Sequence, residues 1–202
     1  MRWSKAGHKI LIGSRKDEKA KGIAEEYNAK LKEMGVEASI EGMVNAEAAA
    51  GSEVVVISLP YEYTVSTLEQ IRSSFKNQIV ISPVVPMKKV GGTFLYAPPS
   101  SGSAAEEIRD ALPEGVRVVS AYHNLPASEL RKMEKELDYD VVICGDDDEA
   151  KAVVTRLTEE MPRLRTLDAG ALAASQMIEA LTPLIINLNI RYKPQHFSVK
   201  FV

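Results

Sequence analysis

The 202-residue sequence contains a single cysteine, Cys144, which excludes an internal disulfide framework and a cysteine-rich zinc site. No apolar run approaches the length of about 20 residues that a membrane-spanning helix needs. The first eight residues also lack the apolar stretch of a signal peptide. The expected location is therefore the reducing cytoplasm, with no membrane partner.

A strong net charge of either sign is also absent. Lysine and arginine number 25 and aspartate and glutamate 28, so the formal net charge is -3. Proteins that bind nucleic acids usually carry a basic face, and we expect no nucleic-acid partner here. Hydrophobic residues make up 45% of the chain and charged residues 26%, a balance typical of a globular protein with a sizeable core.

Six short apolar runs rich in β-branched residues predict strands, and helical patterns lie between them. Several runs are apolar throughout, as expected for strands buried on both faces of a parallel sheet. The alternation predicts an α/β fold: a Rossmann-like, doubly wound, mainly parallel sheet. The predicted strands are residues 9–13, 37–42, 53–58, 78–82, 116–120 and 140–144, and the predicted helices are residues 17–34, 64–73, 104–112, 147–160 and 171–190.

The last predicted helix, residues 171–190, is long and nearly all apolar. Such a helix is expected to be buried in the protein or against a partner subunit. We divide the chain into a Rossmann-like domain, residues 1–138, and a smaller C-terminal unit, residues 139–202, which contains this helix. Because a small unit cannot cover so apolar a helix, we expect a homodimer.

The turn after the first predicted strand combines a hydroxyl with cations. It reads Ser14-Arg15-Lys16, and Lys19 follows one helical turn later. In NAD-specific dinucleotide folds an acidic residue at this place binds the ribose 2′-hydroxyl, whereas a hydroxyl beside cations suits the 2′-phosphate of NADP. The alternative interpretation is a solvated basic turn that opens a helix.

The twelve glycines nowhere form the spacing G-x-G-x-x-G. A dinucleotide fold opens with a strand and this turn, whose backbone N–H groups hold the pyrophosphate at a helix N-terminus. Residues 2–6 have the pattern expected for the last turn of the helix that follows. The sequence therefore predicts a sheet without its first strand, which in this fold lies at the centre.

Seven stretches of the sequence, in their order and spacing, resemble one family. They are similar to the F420H2:NADP oxidoreductases of methanogens and related archaea, which are NADPH-dependent reductases of the deazaflavin coenzyme F420. The sequence departs from the family's pattern in one respect: the first strand and its glycine turn are missing. The matching stretches are GHKILIGSRKDEKA, VVVISLPYE, IVISPVVP, VVSAYHNLPA, CGDDDEAKAVV, LDAGALAAS and EALTPLIINLN.

The resemblance implies direct hydride transfer between the nicotinamide of NADP(H) and the deazaflavin ring of coenzyme F420. Such a reaction needs two stacked rings at short distance and no nucleophile. The resemblance places the nicotinamide near Ser58, Leu59 and Pro60. It places the deazaflavin near Ser82, Pro83, Val84, Val85 and Pro86, near His123, Asn124, Leu125 and Pro126, and near Thr182.

Within this set, His123 is the candidate catalytic residue. An imidazole can donate a hydrogen bond to a ring carbonyl, or relay the proton that accompanies hydride arrival. The alternative is a histidine satisfied by a backbone carbonyl in a turn. The acidic run Asp146-Asp147-Asp148 lies at the start of the predicted helix 147–160, where acids complement the dipole, so we interpret it as a cap and expect no metal site.

Two other functions stay open at this point. The chain could be a dinucleotide-binding remnant without catalytic activity. It could also be an NADP-dependent reductase with another acceptor, such as a flavin, ferric ion or an imine.

Overall fold

The computed structural model describes residues 1–37, 39–194 and 197–202. Strands and helices alternate along most of these residues, as the sequence predicts. The strands are β1 (Ile10–Ser14), β2 (Ile40–Val44), β3 (Val54–Val56), β4 (Ile79–Ser82), β5 (Met87–Val90), β6 (Thr93–Tyr96), β7 (Arg117–Ser120), β8 (Asp140–Gly145) and β9 (Arg165–Asp168). The α-helices are α1 (Arg2–Lys5), α2 (Asp17–Glu33), α3 (Asn45–Ala50), α4 (Tyr61–Gln70), α5 (Ala104–Ala111), α6 (Ala127–Leu130), α7 (Asp148–Glu159) and α8 (Ser175–Arg191).

The main sheet has five strands in the order β3-β4-β7-β8-β9. Its strands pair in parallel, except that β7 and β8 are antiparallel. In the β4–β7 register Ser82 lies opposite Ser120, so these two parallel strands end at the same edge. This arrangement confirms the prediction of an α/β, Rossmann-like fold with a mainly parallel sheet.

Each face of the main sheet is covered by its own apolar core. On one face, Val80 and Val118 pack with Leu68 of α4 and Ile108 of α5. On the other face, residues of β4, β7 and β8 pack with α7, which contributes Val154. Burial on both faces explains why these strands are apolar throughout.

The first two strands form a sheet of their own. β1 and β2 pair in parallel as a two-stranded sheet, and α2 packs on it through Ala24 and Leu31. α1 precedes β1 and ends at Lys5; Gly7, in the turn that follows, has a φ of 98°, a left-handed conformation that favours glycine. A short helix ending before β1 agrees with the interpretation of residues 2–6.

All six predicted strands are found, with ends that differ by up to three residues. One residue of the predicted strand 37–42, Ala38, lies outside the described residues. The main sheet continues from residues 1–138 into residues 139–202 through β8 and β9. The division of the chain at that point stays a prediction.

The prediction of a nearly all-apolar helix over residues 171–190 is wrong. The helix α8 begins at Ser175 and carries polar side chains with defined partners. Asn187 pairs with the backbone of Phe94 through both its amide oxygen and its amide nitrogen, and Glu179 is fully buried among hydrogen-bond donors. In the part of the chain that the structure describes, no helix is both long and apolar enough to cross a membrane.

Candidate functional site

A first cavity, of about 620 Å³, lies between β1 and β3. Residues 8–13 border it on one side and residues 53–59 on the other. Among the described residues, β1 and β3 do not pair with each other, because β1 pairs only with β2 and β3 only with β4. The cavity therefore lies where a dinucleotide fold has its central strand.

The residues predicted to bind NADP follow the two strands that border this cavity. Ser58 and Leu59 line the cavity directly, and Pro60 precedes the first turn of α4. Ser14 ends β1, and its Oγ accepts a hydrogen bond from the backbone N–H of Lys16 at 3.3 Å. The remaining predicted cations, like Lys16, are exposed to solvent around the start of α2: Arg15 and Lys19.

A second cavity, of about 600 Å³, lies between the turn after β7 and α8. The turn contributes His123, Asn124, Leu125 and Pro126, and α8 contributes Thr182. The structure thus brings together five of the residues predicted to contact the deazaflavin. Apolar side chains of α8 that the sequence did not single out complete its walls: Ile185, Ile186 and Ile190.

His123 is a buried polar residue that lines this second cavity. Its side chain is 94% buried, since only 6% of its surface is exposed, and neither ring nitrogen has a hydrogen-bond partner among the described residues. Burial lowers the pKa of His123 to about 4, so the ring is neutral near pH 7. The Oδ1 atom of Asn124 is likewise buried without a partner. Buried polar atoms without a partner, in residues that line a cavity, are candidates for binding a polar ligand.

Comparison with known proteins identifies the family. Residues 1–86 match the family described as NADP oxidoreductase, coenzyme F420-dependent. Over 196 residues, 96% of this chain and 87% of the relative, the chain is 43% identical to the F420-dependent NADP reductase of Methanocaldococcus jannaschii. It is 34% identical to the F420-dependent NADP reductase of Methanothermobacter thermautotrophicus, over 99% of this chain and 87% of that one. The chain belongs to the F420-dependent NADP reductase family.

A solved structure shares the fold. It is that of a protein proposed to be an F420-dependent NADP reductase from Arthrobacter sp. FB24. The match has a TM-score of 0.79 and covers 99% of this chain and 92% of that one, at 22% sequence identity. The resemblance to the F420H2:NADP oxidoreductases inferred from the sequence is therefore confirmed at the level of family and of fold.

Some residues that the family resemblance singled out lie in the core. Ser82 is fully buried at the end of β4 and its Oγ has no partner among the described residues. Val84 packs into the core of α4 and α5, and Pro86 is also buried. Pro83 and Val85 are half-buried, and none of these five residues lines either of the two cavities. Their contact with the deazaflavin stays a prediction.

Thr182 contacts the turn that carries His123. Its Oγ1 donates a hydrogen bond to the backbone carbonyl of His123 at 3.1 Å. The hydroxyl therefore holds the turn against α8, although Thr182 also lines the second cavity. The family resemblance placed both Thr182 and His123 near the deazaflavin, and the contact of Thr182 with that ring stays a prediction.

Glu179 is a buried acid of α8, three residues before Thr182, that sequence reasoning missed. Its carboxylate is fully buried and accepts hydrogen bonds from the backbone N–H groups of Ala104 and Ala105, at 3.0 and 3.1 Å, and from the Tyr96 hydroxyl at 2.9 Å. Burial nevertheless raises the pKa of Glu179 to about 7. The only signal in the sequence was an acidic residue in an otherwise apolar stretch of helix.

His123 and Glu179 should give opposite dependences of stability on pH. Unfolded His123 titrates near 6.5 and folded His123 near 4, so its contribution falls as the pH drops from 6.5 to 4. Unfolded Glu179 titrates near 4.5 and folded Glu179 near 7, so its contribution falls as the pH rises from 4.5 to 7. Each of these two residues should change the free energy of unfolding by roughly 3 kcal/mol across its pH range.

Urea unfolding of the wild type, His123→Asn and Glu179→Gln across pH 4–7.5 measures both effects. The stability advantage of the wild type over His123→Asn should shrink toward low pH. Its advantage over Glu179→Gln should shrink toward neutral pH. Differences that stay constant with pH would contradict both assignments.

Proposed function

We propose that this protein transfers a hydride directly between NADP(H) and coenzyme F420. The observation that carries the proposal is the 43% identity over 96% of the chain to a relative named F420-dependent NADP reductase. Membership of this family favours F420 over a flavin, ferric ion or an imine as the second substrate. It also favours an enzyme over a non-catalytic remnant.

In this proposal the second cavity receives the deazaflavin ring. A largely apolar cavity of about 600 Å³ with a few unpartnered polar atoms has the character of a small-molecule site. Leu125, Ile185 and Ile186 exclude water from the ring face, and His123 and Asn124 offer hydrogen bonds at its edge. The bound deazaflavin supplies the carbon that accepts or gives the hydride.

We assign His123 the role of a hydrogen-bond donor. With its pKa lowered to about 4, the ring is neutral at physiological pH and carries one N–H. A neutral imidazole can donate this N–H to a ring carbonyl and stabilise negative charge that develops there as hydride arrives. The depressed pKa argues against a protonated imidazolium as the proton source.

The NADP side of the site is proposed at the ends of β1 and β3. The 2′-phosphate would be held by Ser14, Arg15, Lys16 and Lys19. The hydroxyl can donate a hydrogen bond to a phosphate oxygen, and the exposed cations attract its negative charge. The nicotinamide would lie at residues 58–60, beside the first cavity. The cytoplasmic location expected from the sequence stays a prediction.

Anaerobic mixing of the protein with NADPH and oxidised F420 tests the proposed reaction. The absorbance of NADPH and of oxidised F420 should fall together, one molecule of each per turnover, and NADH should be a much poorer donor. Loss of NADPH absorbance with flavin but not with F420 would contradict the proposed acceptor.

Replacing Arg15 by Asp should weaken NADPH binding at least tenfold and leave NADH binding unchanged. The reason is the loss of a charge-assisted hydrogen bond to the 2′-phosphate, which contributes about 1.5–3 kcal/mol. Titration calorimetry with both nucleotides measures the effect. Lys32→Asp, a charge reversal at the far end of α2, is the matched control. Equal weakening by both variants would mean that the effect is a long-range field and not a phosphate contact.

We further propose a homodimer that uses α8. Met177 and Leu184 are 64% and 54% exposed and lie seven residues apart, on one face of the helix. Exposed apolar side chains in a row on a helix indicate a contact surface. Light scattering of the wild type should give twice the 22.2 kDa chain mass, and Leu184→Glu should shift it toward the monomer. A monomeric wild type would contradict this proposal.

A further inference from the structure

The backbone of Tyr122 is left-handed, with φ of 69°, at the point where the chain leaves β7. Such a conformation is unfavourable for a bulky residue, because Cβ approaches the following carbonyl oxygen. Among the described residues other than glycine, only Arg163 shares a positive φ. A residue held in this conformation next to a candidate site is a reason to ask what the conformation achieves.

The left-handed turn changes which side chains face the core. Val119 and Ala121 alternate into the core that α7 covers, as in a regular strand. Continued alternation would send Tyr122 to the opposite face and return His123 to this core. Instead Tyr122 packs against the same core as Ala121, and His123 lines the second cavity.

The phenol ring of Tyr122 is held from two sides. The indole of Trp3 packs edge-on against it, with ring centroids 5.9 Å apart and an interplanar angle of 65°. The Tyr122 hydroxyl lies 2.7 Å from Oγ1 of Thr158. Since the Thr158 hydroxyl donates to the carbonyl of Val154, Tyr122 is the donor in this bond. The ring is thereby anchored to α7.

The backbone after Tyr122 is fixed as well, but the imidazole is not. The carbonyl of His123 accepts from Thr182, and Asn124 Nδ2 donates to the carbonyl of Asp140 at 2.7 Å. The ring nitrogens of His123 have no partner among the described residues. The direction of the imidazole is therefore set through the chain on either side of it.

We propose that Tyr122 is a positioning residue for His123: its left-handed backbone and anchored ring direct the imidazole into the second cavity. The effect of Tyr122 on turnover rests on the proposed function, in which His123 contacts the deazaflavin. Its effect on the imidazole itself does not depend on any activity.

The direct test is to measure the pKa of His123 by NMR, from the change of its ring-proton signals with pH. The sequence has three histidines, so His8→Gln and His196→Gln assign the signal. In Tyr122→Gly the glycine accepts the left-handed φ but carries no anchor, so the turn loosens and the imidazole gains access to water. Its pKa should rise from about 4 toward 6.5. In Tyr122→Phe, which keeps the ring and loses one bond, the pKa should stay near 4.

Two further variants keep the test decisive. Leu164→Ala removes a buried side chain from the same core and controls for general destabilisation, so the pKa of His123 should not move. Thr158→Val puts a methyl group in place of the acceptor of the part-buried Tyr122 hydroxyl and pushes the ring away from α7, whereas Tyr122→Phe leaves the ring in its place. The pKa of His123 should therefore rise partly in Thr158→Val, even if Tyr122→Gly does not fold. An unchanged pKa in folded Tyr122→Gly or in Thr158→Val, or an equal rise in Leu164→Ala, would overturn the proposal.

Turnover gives a second readout. In Tyr122→Gly, kcat with F420 should fall at least tenfold while the dissociation constant of NADPH stays within about twofold, and Tyr122→Phe should retain most of kcat. Equal losses in NADPH affinity and kcat would overturn the positioning role. If the wild type itself transfers no hydride to F420, the proposed function fails, whereas the pKa measurement still decides the role of Tyr122.

Discussion

A strand and a glycine turn fused ahead of Met1 are expected to raise the affinity for NADPH by about 100-fold or more. The first cavity lies between two strands, β1 and β3, that have no pairing with each other. A fused segment of about 20–25 residues is long enough for a strand, a G-x-G-x-x-G turn and a helix that continues into α1. Two or three charge-assisted hydrogen bonds from the turn to the pyrophosphate, at roughly 1.5–3 kcal/mol each, account for the gain.

The same fusion should raise the melting temperature. A strand in the first cavity would pair with the open edges of β1 and β3, whose backbone groups otherwise need water. The matched control keeps the strand and replaces the three glycines of the turn by alanine. It should recover the gain in melting temperature but not the gain in affinity, which separates strand pairing from phosphate binding. Equal NADPH affinity with and without the fused segment would contradict this account of the first cavity.

Gly42→Ala is expected to destabilise the protein by about 3 kcal/mol or more. A Cβ atom at Gly42 would lie 2.2 Å from the carbonyl carbon of Ala20 and 2.3 Å from its oxygen. These are backbone atoms of α2, so relief requires moving the helix away from β2 rather than turning a side chain. Because Ser14 ends β1 and Arg15 lies between β1 and α2, NADPH binding should weaken as well.

Gly22→Ala is the control for this prediction. Gly22 lies in α2, and an added Cβ would meet no atom within 4 Å apart from the neighbouring backbone of its own helix. Alanine is the better helix former, so this variant should gain up to about 1 kcal/mol. Urea unfolding of both variants measures the opposite signs. Similar stabilities for the two alanine variants would show that α2 and β2 do not approach as closely as the structure has them.

Much of the fold could be predicted because its strands are buried on both faces. Runs such as residues 79–82 and 140–145 consist almost wholly of buried side chains, and a buried strand has to be apolar. The strand β9 was not predicted, because Arg165 and Asp168 make its sequence polar. Arg165 forms a bidentate ion pair with Asp140 of the neighbouring strand, a partner that sequence reasoning cannot supply.

The hairpin of β5 and β6 was missed for a similar reason. Its first strand is mostly exposed and contains Lys88 and Lys89, which gives no buried apolar pattern. The hairpin is held from outside by Asn187 of α8, which pairs with both backbone groups of Phe94. Tertiary contacts of this kind override local preference.

The candidate site was predicted in part. Residues 123–126 and Thr182 were placed together by family resemblance, and the structure brings them to one cavity. The left-handed Tyr122 could not be predicted, because nothing in the residue type favours that conformation. The burial of Glu179 depends on the N–H groups of α5, which come from a distant part of the chain.

Transfer of deuterium to coenzyme F420 from NADPH that carries deuterium at both nicotinamide C4 positions tests most directly whether the hydride passes straight from one substrate to the other. The 202-residue chain and its strand fusion are mixed anaerobically with labelled NADPH and oxidised F420, and the reduced F420 is analysed by mass spectrometry. Direct hydride transfer predicts one deuterium per molecule of F420 reduced, with a faster rate for the fusion. F420 that is reduced without deuterium, or that stays oxidised although both substrates bind, would contradict the account.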